Sequence, residues 1–290
     1  MSEPSDVSAV IVSYNVRDLL VQCIASLRAD GVQRIVVVDN ASRDGSAAAA
    51  RAAGPDIEVI ALDRNIGFGA GANAGVARTT TPYVAILNPD LEVEPGATKT
   101  LVDVLDQEAD VGIVAPRIET PDGRLYPSAR TFPDLVDAAG HAFLHFFWRS
   151  NPFSRRYKML DWDHAAAEDV DWVAGTHLVV RRAAWDEVGG FDDSFFMYLE
   201  DVDLCWRLAQ RGWRTRYEPT ARVVHAIGRS TDQTPYRMIA AHHRSLLRYA
   251  RKTTHGPKRL LLPLVAAALG VRMVLAWIQR AWRGKPHAAH

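Results

Sequence analysis

Residues 7–20 read VSAVIVSYNVRDLL. The first seven form a short apolar run rich in β-branched side chains, which suits a buried strand from Val7 to Ser13. Past Tyr14 and Asn15 the period changes. Leu19, Leu20, Cys23, Ile24 and Leu27 recur at the spacing of one helix face. A strand passing straight into a helix is the first half of a βαβ unit, and the rhythm repeats downstream. Arg34 to Val38 reads as a second strand ending on Asp39 and Asn40. An alanine-rich helix, capped by Asp44 or Ser46, runs to Ala53 before Gly54-Pro55 stops it. Ile57 to Leu62, Tyr83 to Leu87 and Val111 to Ala115 are further strands, with a helix from Pro95 to about Asp106 between the last two. Strands alternating with helices predict an α/β fold, a Rossmann-like, mostly parallel sheet between helices.

The turn after the first strand decides which α/β protein this is. A dinucleotide-binding dehydrogenase needs glycines there so that a pyrophosphate can approach the helix N-terminus. SYNVRDLL has none. A GxGxxA match occurs at Gly69, Gly71 and Ala74, but it follows the third strand. It reads as a loop facing ligand, because Asn65 and Asn73 supply amides beside the glycines. The strand ends share polarity: Tyr14-Asn15, Asp39-Asn40, Asn65 and Asn88-Pro89-Asp90. Ligands bind outside the carboxyl ends of parallel strands, so these groups are expected on one edge. Asn88-Pro89-Asp90 is good turn chemistry. It also places a carboxylate where a divalent ion can bridge to a diphosphate, since magnesium and manganese share oxygen ligands with substrate phosphates.

A second polar feature lies far along the chain. Residues 195–208 read FFMYLEDVDLCWRL, with Glu200, Asp201 and Asp203 inside an aromatic and aliphatic segment. Leu199, Val202, Trp206 and Ala209 fall on one helical face, flanked by Leu204 and Leu208. Acids in a first helical turn suit the helix dipole and are common for that reason alone. Aromatic residues running straight into them predict a partly dry pocket in which a carboxylate can act as a base.

With 290 residues, 48% of them hydrophobic, the chain can bury one large core. The formal net charge is zero, yet the charges are segregated. No acidic residue follows Asp232, whereas residues 236–290 hold eleven Lys and Arg; the 34 acidic residues upstream face only 23 basic ones. A tail so basic points to an anionic surface, a membrane rather than nucleic acid. Two cysteines give no disulfide framework and no metal-ligand spacing, so a reducing compartment is expected. The opening MSEPSDVSAV lacks the basic and apolar regions of a secretory signal.

Between residues 116 and 170 the alternation breaks. Phe132, Leu135, Val136, Phe143, Leu144, Phe146, Phe147 and Trp148 precede Arg149, Arg155, Arg156 and Lys158. Such a patch suits an anionic lipid head or phosphate, or else a helical hairpin on the sheet. DWVAGTHLVVRR at 171–182 then reads as a strand pair turning at Gly175-Thr176, before a short helix ending at Gly189-Gly190. Thr215 to Tyr217 and Val223 to His225 read as two short strands. His225 ends the second of these, either a satisfied polar group or one able to reach the same edge as Asp90. We divide the chain into a body at 1–232, with 116–170 as an insertion, and a basic helical tail at 233–290. Pro235 to Lys252 reads as a basic helix and Leu260 to Ile278 as an apolar one. That segment of nineteen residues, apolar but for Arg272, just reaches across a bilayer, but Arg272 and Pro263 argue against crossing. An interfacial anchor suits them better, with packing on protein or in a homodimer as the other role.

VIVSYN, VVVDNASRDGS, NIGFGAGANAG, NPDLEV, WVAGT and FFMYLEDVDLCWRL, in that order and spacing, resemble the inverting glycosyltransferases of family 2 over roughly Val7 to His225. The resemblance implies a GT-A fold and a nucleotide-sugar donor. It puts Ser13, Tyr14 and Asp39 at the nucleotide, and Asn65 and Asn88 along the donor site. It makes Asp90 the ligand of a divalent metal, magnesium or manganese, with His225 as a second ligand. Asn88 departs from the first aspartate of the family's DxD-type motif, which leaves the metal one carboxylate fewer. Asp201 becomes the general base, with Trp172, Gly175, Thr176 and Glu200 on the acceptor side.

Within the family the chain is similar to bacterial rhamnosyltransferases acting on lipid-linked acceptors. That implies dTDP-L-rhamnose as donor, a polyprenyl-diphosphate saccharide as acceptor, and a cytoplasmic enzyme peripheral to the inner face of the plasma membrane. Another donor (a UDP-hexose or galactofuranose) and a non-catalytic nucleotide-sugar-binding scaffold are the alternatives. A scaffold would be expected to have lost Asp90 or Asp201, and both are present. A sugar-nucleotide pyrophosphorylase would need a glycine-rich basic loop after the first strand, which is missing.

Overall fold

A computed structural model of the chain describes residues 6–133, 155, 159, 162–226 and 234–282. The expected βαβ rhythm is present. Strands β1 (Val7–Ser13), β2 (Arg34–Asp39), β3 (Ile57–Ala61) and β4 (Tyr83–Leu87) form a parallel group in the order β3-β2-β1-β4. Helices α1 (Arg17–Ala29) and α2 (Ser46–Ala52) join the first three strands. Alternate residues of β1 face opposite layers, as strand pleating requires. Val10 and Val12 join one core, and Val7, Ala9 and Ile11 the other. The second core is closed by Leu20, Cys23, Ile24 and Leu27 of α1 and by Leu101 and Leu105 of α4 (Ala97–Gln107). Burial pushes the thiols of Cys23 and Cys205 up to about 12, so both serve as packing groups.

Beyond β4 the sheet turns mixed. It continues as β4-β11-β6-β12-β5, where β5 is Leu91–Val93, β6 Val111–Glu119, β11 His177–Arg181 and β12 Arg214–His225. Strand β11 runs antiparallel to both β4 and β6, while β12 is parallel to β6. Register then gathers the polar strand ends. Ser13 pairs with Asp39, His177 with Leu87, and His225 with Leu91. The carboxyl ends of β1, β2, β4 and β12 and the amino end of β11 therefore share one edge.

Several local expectations are corrected. The glycine-rich segment is helix α3 (Phe68–Val76), not a loop. Its glycines let it lie hard against the sheet: a Cβ on Gly75 would stand 2.4 Å from Val10 Cγ1, and one on Gly71 3.0 Å from Val12 Cγ1. Close packing outweighs the roughly 1 kcal/mol that each interior glycine costs a helix. Asn73 is structural as well, donating to Phe191 O and accepting from Phe191 N. The two strands of DWVAGTHLVV do not pair with each other. Strand β10 (Trp172–Val173) pairs with β8 (Ala129–Arg130) in a separate ribbon. The two short strands expected at 215–225 are one strand, β12, with a register shift between Glu218 and Arg222. Leu135 to Arg149, Arg156 and Lys158 of the aromatic and basic patch lie outside the described residues.

Candidate active site

One cavity of about 380 Å³ opens at this edge. From the strand ends come Ser13, Tyr14, Asn40, Asn88 and Asp90, with Asn65 from the turn after β3. Asp39 lies just behind them, buried and paired with Ser13. Its Oδ2 accepts from Ser42 N at 3.0 Å, while Oδ1 and the Ser13 hydroxyl are buried without a partner. Buried polar atoms without partners are uncommon in native folds. Here they sit where the sequence placed the nucleotide. Asn40 fixes the neighbouring turn by donating to Gly67 O at 2.8 Å and accepting from Ile66 N at 2.9 Å.

On the next wall Asp90 and His225 meet. They are 7% and 6% exposed, and His225 Nε2 lies 3.1 Å from Asp90 Oδ1. The ring edge of Tyr126 packs on the imidazole. A carboxylate oxygen and an imidazole nitrogen side by side are a chemically suitable pair for a divalent ion. Among the described residues no cluster of three or more such ligands exists, so an ion here must complete its shell from substrate and water. That is the usual arrangement for an ion bound with a diphosphate.

The third wall is the start of helix α6 (Glu200–Ala209). Two consecutive non-glycine residues before it, Tyr198 (φ 68°) and Leu199 (φ 62°), are left-handed, a conformation that costs on the order of 1 kcal/mol each and concentrates at functional sites. Surrounding groups hold it in place. Phe196 O accepts from Phe68 N, and a Cβ on Gly67 (φ 95°) would meet Phe196 O at 2.2 Å. Ser245 Oγ donates to Met197 O at 2.9 Å. The strained turn presents Asp201 to the cavity. Its Oδ2 accepts from Gly175 N and its Oδ1 from Val202 N, both at 2.8 Å. A Cβ on Gly175 would stand 3.3 Å from Asp201 Cβ, so glycine leaves the carboxylate room.

Glu200 and Asp201 are adjacent carboxyls in a dry place, and burial raises the pKa of both. They divide the charge unequally. Glu200 is 6% exposed, its Oε2 has no partner, and the negative charge of Asp201 raises it further. Asp201 has two backbone N–H donors and the Arg130 guanidinium to favour its anion. A proton shared by the pair is therefore favoured on Glu200, and the negative charge on Asp201. Asp203, the third acid, points away. Fully buried, it pairs with Arg207 and with Lys252, each at 2.7 Å, and so joins α6 to helix α7 (Pro235–Thr253). Its burial turns the apolar face away from the one expected, and Ala209 at the end of that stripe is exposed.

Trp172, Gly175 and Thr176 also line the cavity, so the residues that the family resemblance puts at the site gather at this edge, with Asp39 just behind the lining, whereas Asn73 does not reach it. The reading missed Tyr126, Arg130 and an entire wall from α7, made by Thr234, Arg237, Met238 and His242. Thr234, Met238 and His242 recur every four residues, a visible helix face. Nothing in the sequence says that this face turns back onto the strand ends.

The sequence model described as Glycosyl transferase family 2 matches residues 8–172, and that of Glycosyl transferase family group 2 matches residues 134–284. The chain is 35% identical over 249 residues to an N-acetylglucosaminyl-diphospho-decaprenol L-rhamnosyltransferase of Mycobacterium tuberculosis, covering 81% of each. It is 30% identical to the rhamnosyltransferase WbbL of Escherichia coli over 64% of this chain and 71% of that one. Among solved structures it resembles a mannosyltransferase from Pyrobaculum calidifontis in complex with GDP-mannose and Mn2+. The TM-score is 0.59 at 17% identity, over 96% of this chain and 76% of that one. That likeness is one of fold, and it is the GT-A arrangement expected from the motifs.

Proposed function

The chain belongs to glycosyl transferase family 2, and from that membership we propose inverting transfer of L-rhamnose from dTDP-rhamnose to a lipid-linked saccharide. The acceptor is a hydroxyl of a polyprenyl-diphosphate sugar, met at the inner face of the plasma membrane. The observation that carries the reading is the convergence of Asp201 and the Asp90–His225 pair on one cavity, beside the strand ends that suit a nucleotide. The choice of sugar and acceptor follows the relatives' names and the sequence resemblance.

In this reading the acceptor hydroxyl attacks the anomeric carbon from the face opposite the diphosphate. Its proton passes to the carboxylate of Asp201. The bond from the anomeric carbon to the diphosphate oxygen breaks as the new glycosidic bond forms, and the diphosphate leaves with the bonding electrons. With Asp201 acting as the base, attack in line with the departing diphosphate inverts the anomeric configuration. Glu200, neutral beside the base, keeps a second negative charge out of the pocket. Asp90 and His225 would hold a magnesium or manganese ion, which when bound neutralises charge on the leaving diphosphate. Ser13, Tyr14, Asp39 and Asn65 would orient the nucleotide, and Asp39 Oδ1 is free to accept the imide N–H of a thymine or uracil.

Transfer assayed with dTDP-L-rhamnose, an N-acetylglucosaminyl-diphospho-prenol and manganese should give a disaccharide lipid with inverted anomeric configuration by NMR. Asp201→Asn should bind the donor and lose transfer. Consumption of a UDP-sugar in place of dTDP-rhamnose would reassign the donor, and near-wild-type turnover by Asp201→Asn would remove it as the base.

A further inference from the structure

Helix α8 (Leu262–Trp282) is built inside out. A helix on the surface of a soluble protein turns its apolar stripe inward. In α8 the exposed positions include Leu264, Ala267, Val271, Val274, Leu275, Ile278 and Trp282, a stripe at helical spacing, and no residue of the helix is buried. Leu264 is 69% exposed and Trp282 87%. The one charge near its middle points the other way: Arg272 Nη1 donates to His243 Nε2 of α7 at 3.2 Å. Five residues on, Trp277 Nε1 donates to Tyr236 O at 3.2 Å. The partners step backward along α7 as α8 advances, so the two helices form an antiparallel hairpin.

We propose that this hairpin seats the protein on an anionic bilayer, with α8 lying in the plane of the interface and its apolar stripe in the acyl boundary. Twenty-one residues span about 31 Å, enough to cross a membrane by length alone. Crossing would carry α7 along, and α7 holds Arg237, Arg244, Arg248 and Arg251 and is tied to α6 through Lys252 and to the turn before α6 through Ser245. A hydrocarbon interior does not take four such cations. A second copy of the hairpin is a poor occupant, because residues 236–290 hold eleven Lys and Arg and no acid, and two such tails repel. Anionic lipid headgroups complement that charge.

Docking in this pose has a consequence for the cavity. Tyr236, which receives Trp277, is followed by Arg237 and Met238 of the cavity wall. The strut between membrane and active site is thus one helix, and the cavity mouth is held near the headgroups. That this serves transfer rests on the lipid-linked acceptor proposed above; the docking itself does not.

The test is co-sedimentation of the full chain with phosphatidylglycerol-containing vesicles and with pure phosphatidylcholine vesicles, without any nucleotide sugar. Binding to the former, weakened by salt, is expected. Val271→Glu combined with Ile278→Glu should lower it on the order of 100-fold, since both changes put a charge on the face that enters the acyl boundary. The melting temperature and circular dichroism of the double variant should match wild type, because both positions face outward. Failure of wild type to sediment with anionic vesicles would overturn the proposal. So would a wild-type dimer that the double variant dissociates, which would assign the stripe to a second copy. Resistance to alkaline extraction from membranes would overturn the in-plane pose in favour of a span. Turnover on a water-soluble short-chain acceptor should be equal in both proteins, and its loss in wild type would count against the transfer reaction rather than the docking.

Discussion

Helices α6 and α8 both break the rule that a helix hides hydrocarbon and shows charge, and they break it in opposite directions. In α6 three carboxyls enter the interior, and the protein handles each differently: burial and the neighbouring charge raise the pKa of Glu200, Asp201 is held by backbone N–H groups, and Asp203 is paired with Arg207 and Lys252. In α8 the hydrocarbon faces out and the central charge faces in. Sequences depart from local rules mainly where function requires it. In the proposed reading the first inversion serves chemistry, and it depends on the core. The second, on the docking proposed above, serves a surface and should be independent of the core.

The sharpest way to break the contrast is at Asp201. Asp201→Asn removes the proposed general base and keeps one acceptor oxygen for two backbone N–H groups, so kcat should fall about 100- to 10,000-fold while stability falls by only about 1–3 kcal/mol. A drop in melting temperature that matched the loss of activity would make α6 a structural feature only. Asp203→Asn should do the reverse. It leaves Lys252 and Arg207 facing an uncharged buried group, and breaking a buried ion pair from one side costs about 3–5 kcal/mol. Denaturant midpoints should show that loss. Donor affinity of the surviving folded fraction should be unchanged.

The same contrast explains what was legible in the sequence. The strands from Val7 to Leu87 are read correctly because each is a local run with its own period, and their polar ends mark the site edge. Asp90, His225 and Asp201 follow from motif order. Strand β5 is three residues long and too short to show a period. The insertion of β11 between β4 and β6 is a tertiary event that no local pattern records. Helix α3 reads as a loop because three glycines disfavour a helix, whereas its closeness to Val10 and Val12 requires them. The α7 wall was missed for a related reason: its basic composition drew attention to lipid, while its inward face, Thr234, Met238 and His242, lines the cavity.

Glu200 offers a milder test of α6. Burial and the charge of Asp201 raise its pKa well above the ordinary 4.5, so the folded state keeps a proton that the unfolded chain releases near that pH. Between the two values the native state binds more protons, and wild-type stability falls as pH rises through the window. Glu200→Gln has no proton to lose. Its melting temperature should exceed wild type by a few degrees near pH 8, and the gap should close near pH 4. A gap of constant size across that range would mean that Glu200 is ionised in the fold and the charge assignment is wrong.

The smallest expected effect is also the one that separates the two helices most directly. Val271→Glu places a carboxylate on the exposed stripe of α8, beside cations and facing water, so it should change stability by no more than about 0.5 kcal/mol. Val202→Glu puts the same group into the core beside Asp201 and Asp203 and should prevent folding. If Val271→Glu instead destabilised the isolated protein by several kcal/mol, the stripe would already be covered by protein, and the outward polarity of α8 would have to be explained by packing. A neutral result places its hydrocarbon outside the folding unit, where only an external surface can select for it.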